Sequence, residues 1–422
     1  MRSVFVIFVS IAMAPFAMAQ LELAAPEEAG LSGARLSKVM EFVRRDIGSG
    51  KIAGAVTLIS RYGKIVHFDT AGTYGLDDKR AMEKDTLFRI YSMTKPITTV
   101  AAMMLYEEGR FQMGDPVSKY LTEFSDQKIL RDGKLVAPLA PMTIEQLMTH
   151  SAGLTYGWAN DHPTELAYQE AKLDQSKDTD DFINRLASLP LRFEPGTRYH
   201  YSVATDVLGA LVERLSGMTL EKFFSERIFN PLGMHDTFFN VPKDKMDRLA
   251  SNHYWDTEKK AMAVIPDAYS RPVTGLTVFS GGGGLISTAL DYMVFCEMVR
   301  QGGSYNGVRI LGPKTVEYMT INHLTDTVRN NGADEYPGSH LYPGQSFGLG
   351  FGVITDPGQS GVISSIGEYS WGGLANTKFW IDPKEELIAV FMSQFMASPW
   401  SDETRFNMKV ATYQALTELN SN

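Results

Sequence analysis

The chain has 422 residues, 44% hydrophobic and 21% charged, the composition of an ordinary globular protein long enough for one large domain or two. A formal charge of −9 with no basic block argues against nucleic acid as a partner, and a single cysteine, Cys296, rules out an internal disulfide. Stability must therefore come from a buried core.

The first segment, MRSVFVIFVSIAMAPFAMAQ, carries Arg2, an apolar run from Val4 to Met13 and the small-x-small end Ala17-Met18-Ala19. This is the pattern of a secretory signal peptide over residues 1–19, cleaved after Ala19, which predicts a secreted or periplasmic protein. The run is short for a membrane span of about 20 residues, and no later segment has a spanning pattern, so no stable membrane span is expected after cleavage. Residues 33–46 have the periodicity of an amphipathic helix, and the alternation in GAVTLISRYGKIVHFDTAGTYG predicts a hairpin turning at Tyr62-Gly63.

YSMTKP, residues 91–96, is followed at once by an apolar run in which Ile97, Val100, Ala101, Met104 and Leu105 fall at i, i+3, i+4, i+7 and i+8. That spacing predicts a helix with a buried stripe. Pro96 is tolerated only in a first turn, so Ser92 lies at the helix start and Lys95 projects one turn on from nearly the same face. A nucleophile and a base are thus within reach. A free lysine, with a pKa of about 10.4, is neutral only about once in several thousand molecules at pH 7. Apolar neighbours on both sides and the positive end of the helix dipole both disfavour its charged form. The same Ser-x-x-Lys spacing at Ser125 to Lys128 sits among polar residues and reads as an exposed turn, so the pattern alone decides nothing.

Residues 92 to about 285 are mostly helical patterns joined by Pro/Gly loops. Within them EPGTRYHYSVATDVLGALVERLSG places Tyr201 where a Pro195-Gly196 turn hands over to a helix. Cys296, in the apolar helical pattern DYMVFCEMVR, reads as a packing residue. Strand patterns return late, in FGLGFGVITD, in YSWGGLANTKFWID, which opens a strand with Trp371-Gly372-Gly373, and in ELIAVFMSQ; a last helix spans about 402–418. Paired glycines weaken a strand, and close approach by a ligand is one reason to keep them. Strands at both ends with helices between predict an α/β domain over residues 20–90 and 286–422, with a mainly helical domain, residues 91–285, inserted into it. The cleft between them is the expected site.

Taken together, SMTK, YSV and WGG, with QLMTHSAGL and SGGGGLISTALDY as supporting segments, resemble the serine β-lactamase and penicillin-binding fold (class C type) and, within it, the family VIII carboxylesterases. The resemblance runs from about residue 30 to 415. It implies an α/β (α+β), transpeptidase-like fold, an antiparallel sheet flanked by helices. It also implies Ser92 as nucleophile, Lys95 as base partner and Tyr201 as third member of a proton relay. The Ser92 and Leu374 N–H groups form the oxyanion hole by the same resemblance, and Val203, Trp371, Gly372 and Gly373 bind substrate. No metal or other cofactor is implied, and a small-molecule ester is the expected substrate. Whether Lys95 or Tyr201 is the principal base is open at this level.

Two departures separate this chain from the β-lactamases. Tyr201-Ser202-Val203 replaces Tyr-x-Asn, so the amide that holds a drug's acylamino group is absent. Trp371-Gly372-Gly373 replaces Lys-Thr-Gly, so the cation facing the drug's carboxylate is absent. Both favour an esterase over a β-lactamase, a D-amino-acid peptidase or amidase, while a catalytically silent penicillin-binding sensor is disfavoured by the intact Ser92, Lys95 and Tyr201. A competing motif, GQSFG around Ser346, matches a G-x-S-x-G nucleophile elbow. That elbow needs a strand before it, a helix after it and a later histidine, and no histidine follows Ser346. No H-E-x-x-H cluster occurs, and the Gly281–Gly284 run lacks the Lys-Ser/Thr of a phosphate loop.

Overall fold

The computed structural model describes residues 21–331 and 341–420, so the segment read as a signal peptide lies outside the described residues. Near the N-terminus come strand β1 (Glu22–Leu23), helix α1 (Lys38–Gly48) and the hairpin β2 (Gly54–Arg61) and β3 (Lys64–Gly72). The helix expected over 33–46 is broken at Ser37, which separates a single turn, Gly33–Leu36, from α1. The hairpin turns at Tyr62 and Gly63, with φ of 56° and 74°, the left-handed pair that a two-residue turn between twisted strands demands.

The middle of the chain supplies α2 (Thr94–Glu107) and α3 (Ala204–Ser216), followed by α4 (Ala289–Arg300). The last third adds β4 (Gln345–Phe347), β5 (Gly352–Ile354), β6 (Tyr369–Gly373), β7 (Thr377–Asp382), β8 (Leu387–Met392) and α5 (Ser401–Tyr413). Among the described residues eight strands form one sheet in the order β1-β3-β2-β8-β7-β6-β5-β4. Its pairs are antiparallel except at one edge, where the two-residue β1 runs parallel to β3.

The period of two in the central strands divides their side chains between two cores. Val56 and Leu58 of β2 and Ile388, Val390 and Met392 of β8 join the larger apolar cluster, with α2 and α4. Ala55 and Ile59, with Leu387, Ala389 and Phe391, face a second cluster built by Val39, Met40 and Val43 of α1 and Met408 and Ala411 of α5. The sheet therefore sits between two helical layers, and β2 and β8, covered on both faces, are buried along their whole length. The larger cluster runs unbroken past residues 90 and 285, taking in Leu147, Ile183 and Phe223 of the helical region.

Three expectations need correction. Helix α2 does not bury a stripe: every residue from Thr94 to Leu105 is buried, because the helix packs on α3 and lies inside the larger cluster. Its threonines are satisfied internally, Thr98 Oγ1 donating to Gly281 O at 2.7 Å and Thr99 Oγ1 to Lys95 O at 3.0 Å. Trp371-Gly372-Gly373 ends strand β6 rather than opening a strand, and Leu374 lies in the turn to β7. The stretch FGLGFGVITD is split into β4 and β5 by a bend at Gly348–Phe351, where Gly350 (φ 83°) lets the chain close on Thr99. Cys296 is fully buried in α4, where burial pushes its thiol well above the ordinary range.

Candidate active site

Tyr91–Met93 makes one 3-10 turn that runs straight into α2 at Thr94, with Pro96 in the first turn of the helix, where its missing N–H costs nothing. Tyr91 itself holds a left-handed φ of 43°. For a bulky residue that conformation costs on the order of 1–3 kcal/mol and persists only when its surroundings over-determine it. The anchors are at its phenol, which accepts from Asn252 Nδ2 at 2.9 Å and donates to Met396 Sδ at 3.1 Å. The strained turn leaves Ser92 half-buried.

Lys95 is fully buried. Its Nζ donates to Ser92 Oγ at 3.2 Å, to Tyr156 OH at 2.9 Å and to Gly282 O at 2.6 Å. Burial pulls its pKa down to about 7, with Asp206 opposing that shift and Arg271 reinforcing it. Near neutrality the amine is therefore divided between charged and neutral forms. Gly282 O can only accept, so it takes an N–H in either form; the lone pair of the neutral amine is left for a hydroxyl proton.

Tyr201, just before α3, is buried, and burial pushes its phenol well up; the Ser92 hydroxyl and the Trp371 indole beside it pull the other way. Trp371 Nε1 donates to Tyr201 OH at 3.2 Å, and Lys95 Nζ stands 4.5 Å from the centre of the Tyr201 ring. Behind that ring lies His150, 4.6 Å away centre to centre, whose Nδ1 accepts the Ser202 N–H at 3.3 Å. Burial, with Lys95 and His200 nearby, keeps His150 neutral.

The structure thus brings Ser92, Lys95, Tyr201 and Trp371 together. Gly373 explains the paired glycines differently from a ligand's approach: a Cβ there would stand 2.2 Å from Thr377 Oγ1 and 2.4 Å from Ile90 O. The end of β6 is pressed against the backbone that leads into Ser92, and only glycine permits it. Gly372 faces Thr377 O and Arg405 on the other side of the strand. Leu374 follows directly, part-exposed, with its carbonyl accepting Ala397 N–H at 2.9 Å. Val203 precedes α3 and belongs to the larger core, leaving little surface to meet a substrate. Ser346 lies within β4, almost fully buried, and its Oγ donates to Asn322 Oδ1 at 2.5 Å; the elbow geometry is absent. Among the described residues no cluster of histidine, cysteine and carboxylate side chains could hold a metal ion.

Sequence reasoning missed Tyr156, Trp158, Asp206 and Arg271. Tyr156 and Trp158 are stacked at 4.2 Å, and Tyr156 lies 5.5 Å from the Tyr201 ring, which in turn lies 5.5 Å from that of Trp371. The site is thus walled by aromatic rings. The available signal was Tyr156-Gly157-Trp158, two large aromatics about a glycine in a loop. Asp206 Oδ1 accepts from Gly282 N–H at 3.1 Å and from Ser280 Oγ at 2.5 Å, fixing the segment whose carbonyl holds Lys95. A Cβ on Gly282 would stand 2.3 Å from the Asp206 carboxylate, so that glycine is required for the contact.

Residues 39–411 match the family Beta-lactamase. Protein Rv1367c of Mycobacterium tuberculosis is 35% identical, covering 83% of this chain and 88% of its own. Esterase EstB of Burkholderia gladioli is 31% identical, covering 92% and 96%. Among solved structures, EstCE1, described as a hydrolase with promiscuous acyltransferase activity, superposes with a TM-score of 0.76 at 27% identity, covering 90% of this chain and 99% of that one.

Proposed function

The chain belongs to the beta-lactamase family, and from that membership we propose that it is a family VIII type serine carboxylesterase, cleaving short-chain esters through an acyl-enzyme on Ser92. The observation that carries the reading is the fully buried Lys95 amine, its pKa drawn down to about 7 and its Nζ 3.2 Å from Ser92 Oγ. In the first step Ser92 Oγ attacks the ester carbonyl and neutral Lys95 takes its proton. The oxyanion that forms is held by the N–H groups of Ser92 and Leu374. Collapse breaks the bond to the alcohol, which leaves with a proton passed through Tyr201. Water then attacks the acyl-enzyme by the same path in reverse, releasing the acid and free Ser92. The raised pKa of Tyr201 supports Lys95, rather than a phenolate, as the base. Likeness to EstB and EstCE1 supports an ester as substrate.

Trp371 supports the choice of an ester over a β-lactam. A cation facing a substrate carboxylate contributes about 1.5–3 kcal/mol, and at that strand position the chain offers an apolar indole whose N–H is already given to Tyr201. Neutral short-chain esters are expected to exceed β-lactams in kcat/KM by at least about two orders of magnitude. A butyrate ester and a chromogenic cephalosporin assayed on one preparation at one pH decide this. Equal or better cephalosporin turnover would replace the esterase reading with a β-lactamase.

The N-terminal pattern supports export of this enzyme to the periplasm or beyond, with cleavage after Ala19. N-terminal sequencing of the exported protein should begin at Gln20; a chain retaining Met1 would count against export by this route.

A further inference from the structure

The glycine segment beside the nucleophile is held from two sides by opposite charges. Asp206 takes the Gly282 N–H, Lys95 donates to Gly282 O, and one residue on Arg271 Nη1 donates to Gly283 O at 2.7 Å. Gly283 also abuts the turn that carries Ser92. A Cβ built on it would stand 3.2 Å from Arg271 Nη1 and 3.6 Å from the carbonyl carbon of Tyr91. The guanidinium therefore lies one glycine away from the residue preceding Ser92, close enough for its charge to act on both Tyr91 and Lys95.

Arg271 is exposed; its Nη1 donates to Gly283 O, and among the described side chains it meets no carboxylate. Other arginines of this acidic chain are paired with acidic side chains, among them Arg214 with Glu123, Arg248 with Asp236 and Arg300 with Glu297 and Glu386. A guanidinium has five N–H donors in a rigid fork. Here one is pinned to Gly283 O beside the turn that carries Ser92, which orients the exposed fork. A group so placed is matched to a planar anion with two oxygens.

We propose that Arg271 is a specificity-determining residue that receives a carboxylate carried by the substrate, so that the enzyme favours anionic esters over neutral esters of the same size. The inference rests on the esterase reading above and narrows its substrate class. It also locates a cation for the substrate away from the strand position that Trp371 occupies. The carboxylate can belong to the acyl part, as in the monoester of a dicarboxylic acid, or to the alcohol part, as in the ester of a hydroxy acid.

Two matched pairs separate these sources: 4-nitrophenyl hydrogen glutarate with its methyl-capped diester, and 4-(butyryloxy)benzoate with its methyl ester. The quantity read is the ratio of kcat/KM, anionic to neutral, for the native enzyme and for Arg271→Gln and Arg271→Lys. In one of the two pairs the ratio should fall about tenfold in Arg271→Gln, chiefly through KM, and recover in part in Arg271→Lys, which keeps the charge but not the fork. The pair that responds identifies which part of the substrate carries the carboxylate. Turnover of the neutral esters with a ratio unchanged by Arg271→Gln in both pairs overturns the inference and leaves the esterase reading standing. Failure of the native enzyme on all four esters overturns both.

Discussion

Ser92→Ala is expected to lower ester turnover by about 10⁴-fold or more, the scale on which hydrolases that work through an acyl-enzyme lose rate with their nucleophile, while the protein stays folded. Ser92 is half-buried, and its hydroxyl lies 3.2 Å from the buried Lys95 amine. Ser346→Ala is the control that separates the two serine motifs. Its hydroxyl is enclosed in β4 and committed to Asn322, so its removal should cost about 1–2 kcal/mol of stability and leave most of the activity. Turnover of a butyrate ester, with circular dichroism and Tm on the same samples, measures both effects. Loss of activity with Ser346→Ala and survival with Ser92→Ala would reverse the assignment.

The elements that position Ser92 were legible because they rest on local pattern. The apolar spacing after Pro96 marked α2, and Tyr62-Gly63 marked the β2–β3 turn. The full burial of α2 was not legible, since a covered helix differs from an amphipathic one in what packs outside it. Nor was the end of β6: the glycines at 372 and 373 look the same whether they admit a ligand or a neighbouring backbone, and here Ile90 O occupies the space. The groups that set the chemistry of Lys95 lie furthest from any pattern. Tyr156 is 61 residues from it and Gly282 is 187 residues from it, both in loops without periodicity. Asp206 and Arg271 reach the site through the same glycine segment, so nothing in their own sequence neighbourhoods marks them.

That long-range electrostatic arrangement sets the second large effect, the loss of the relay. Lys95→Ala and Tyr201→Phe should each lower kcat by at least about 10²-fold, as removal of a general acid or base does. If the two groups share one proton path through Ser92, as proposed, the double variant should lose little more than the worse single. Lys95→Arg should not recover activity, since a guanidinium keeps its proton and cannot take that of Ser92. The pH profile follows from the same group. Lys95 must be neutral to act as base, so kcat/KM should rise tenfold per pH unit below about 7 and level off above it. Asp206 favours the charged amine, so Asp206→Asn should lower the Lys95 pKa and move the rising limb to lower pH. A double variant whose loss equals the product of the singles would separate Lys95 and Tyr201 into independent roles. A limb unmoved by Asp206→Asn, with the native profile rising instead towards the range of a tyrosine phenol, would transfer the role of base from Lys95 to Tyr201.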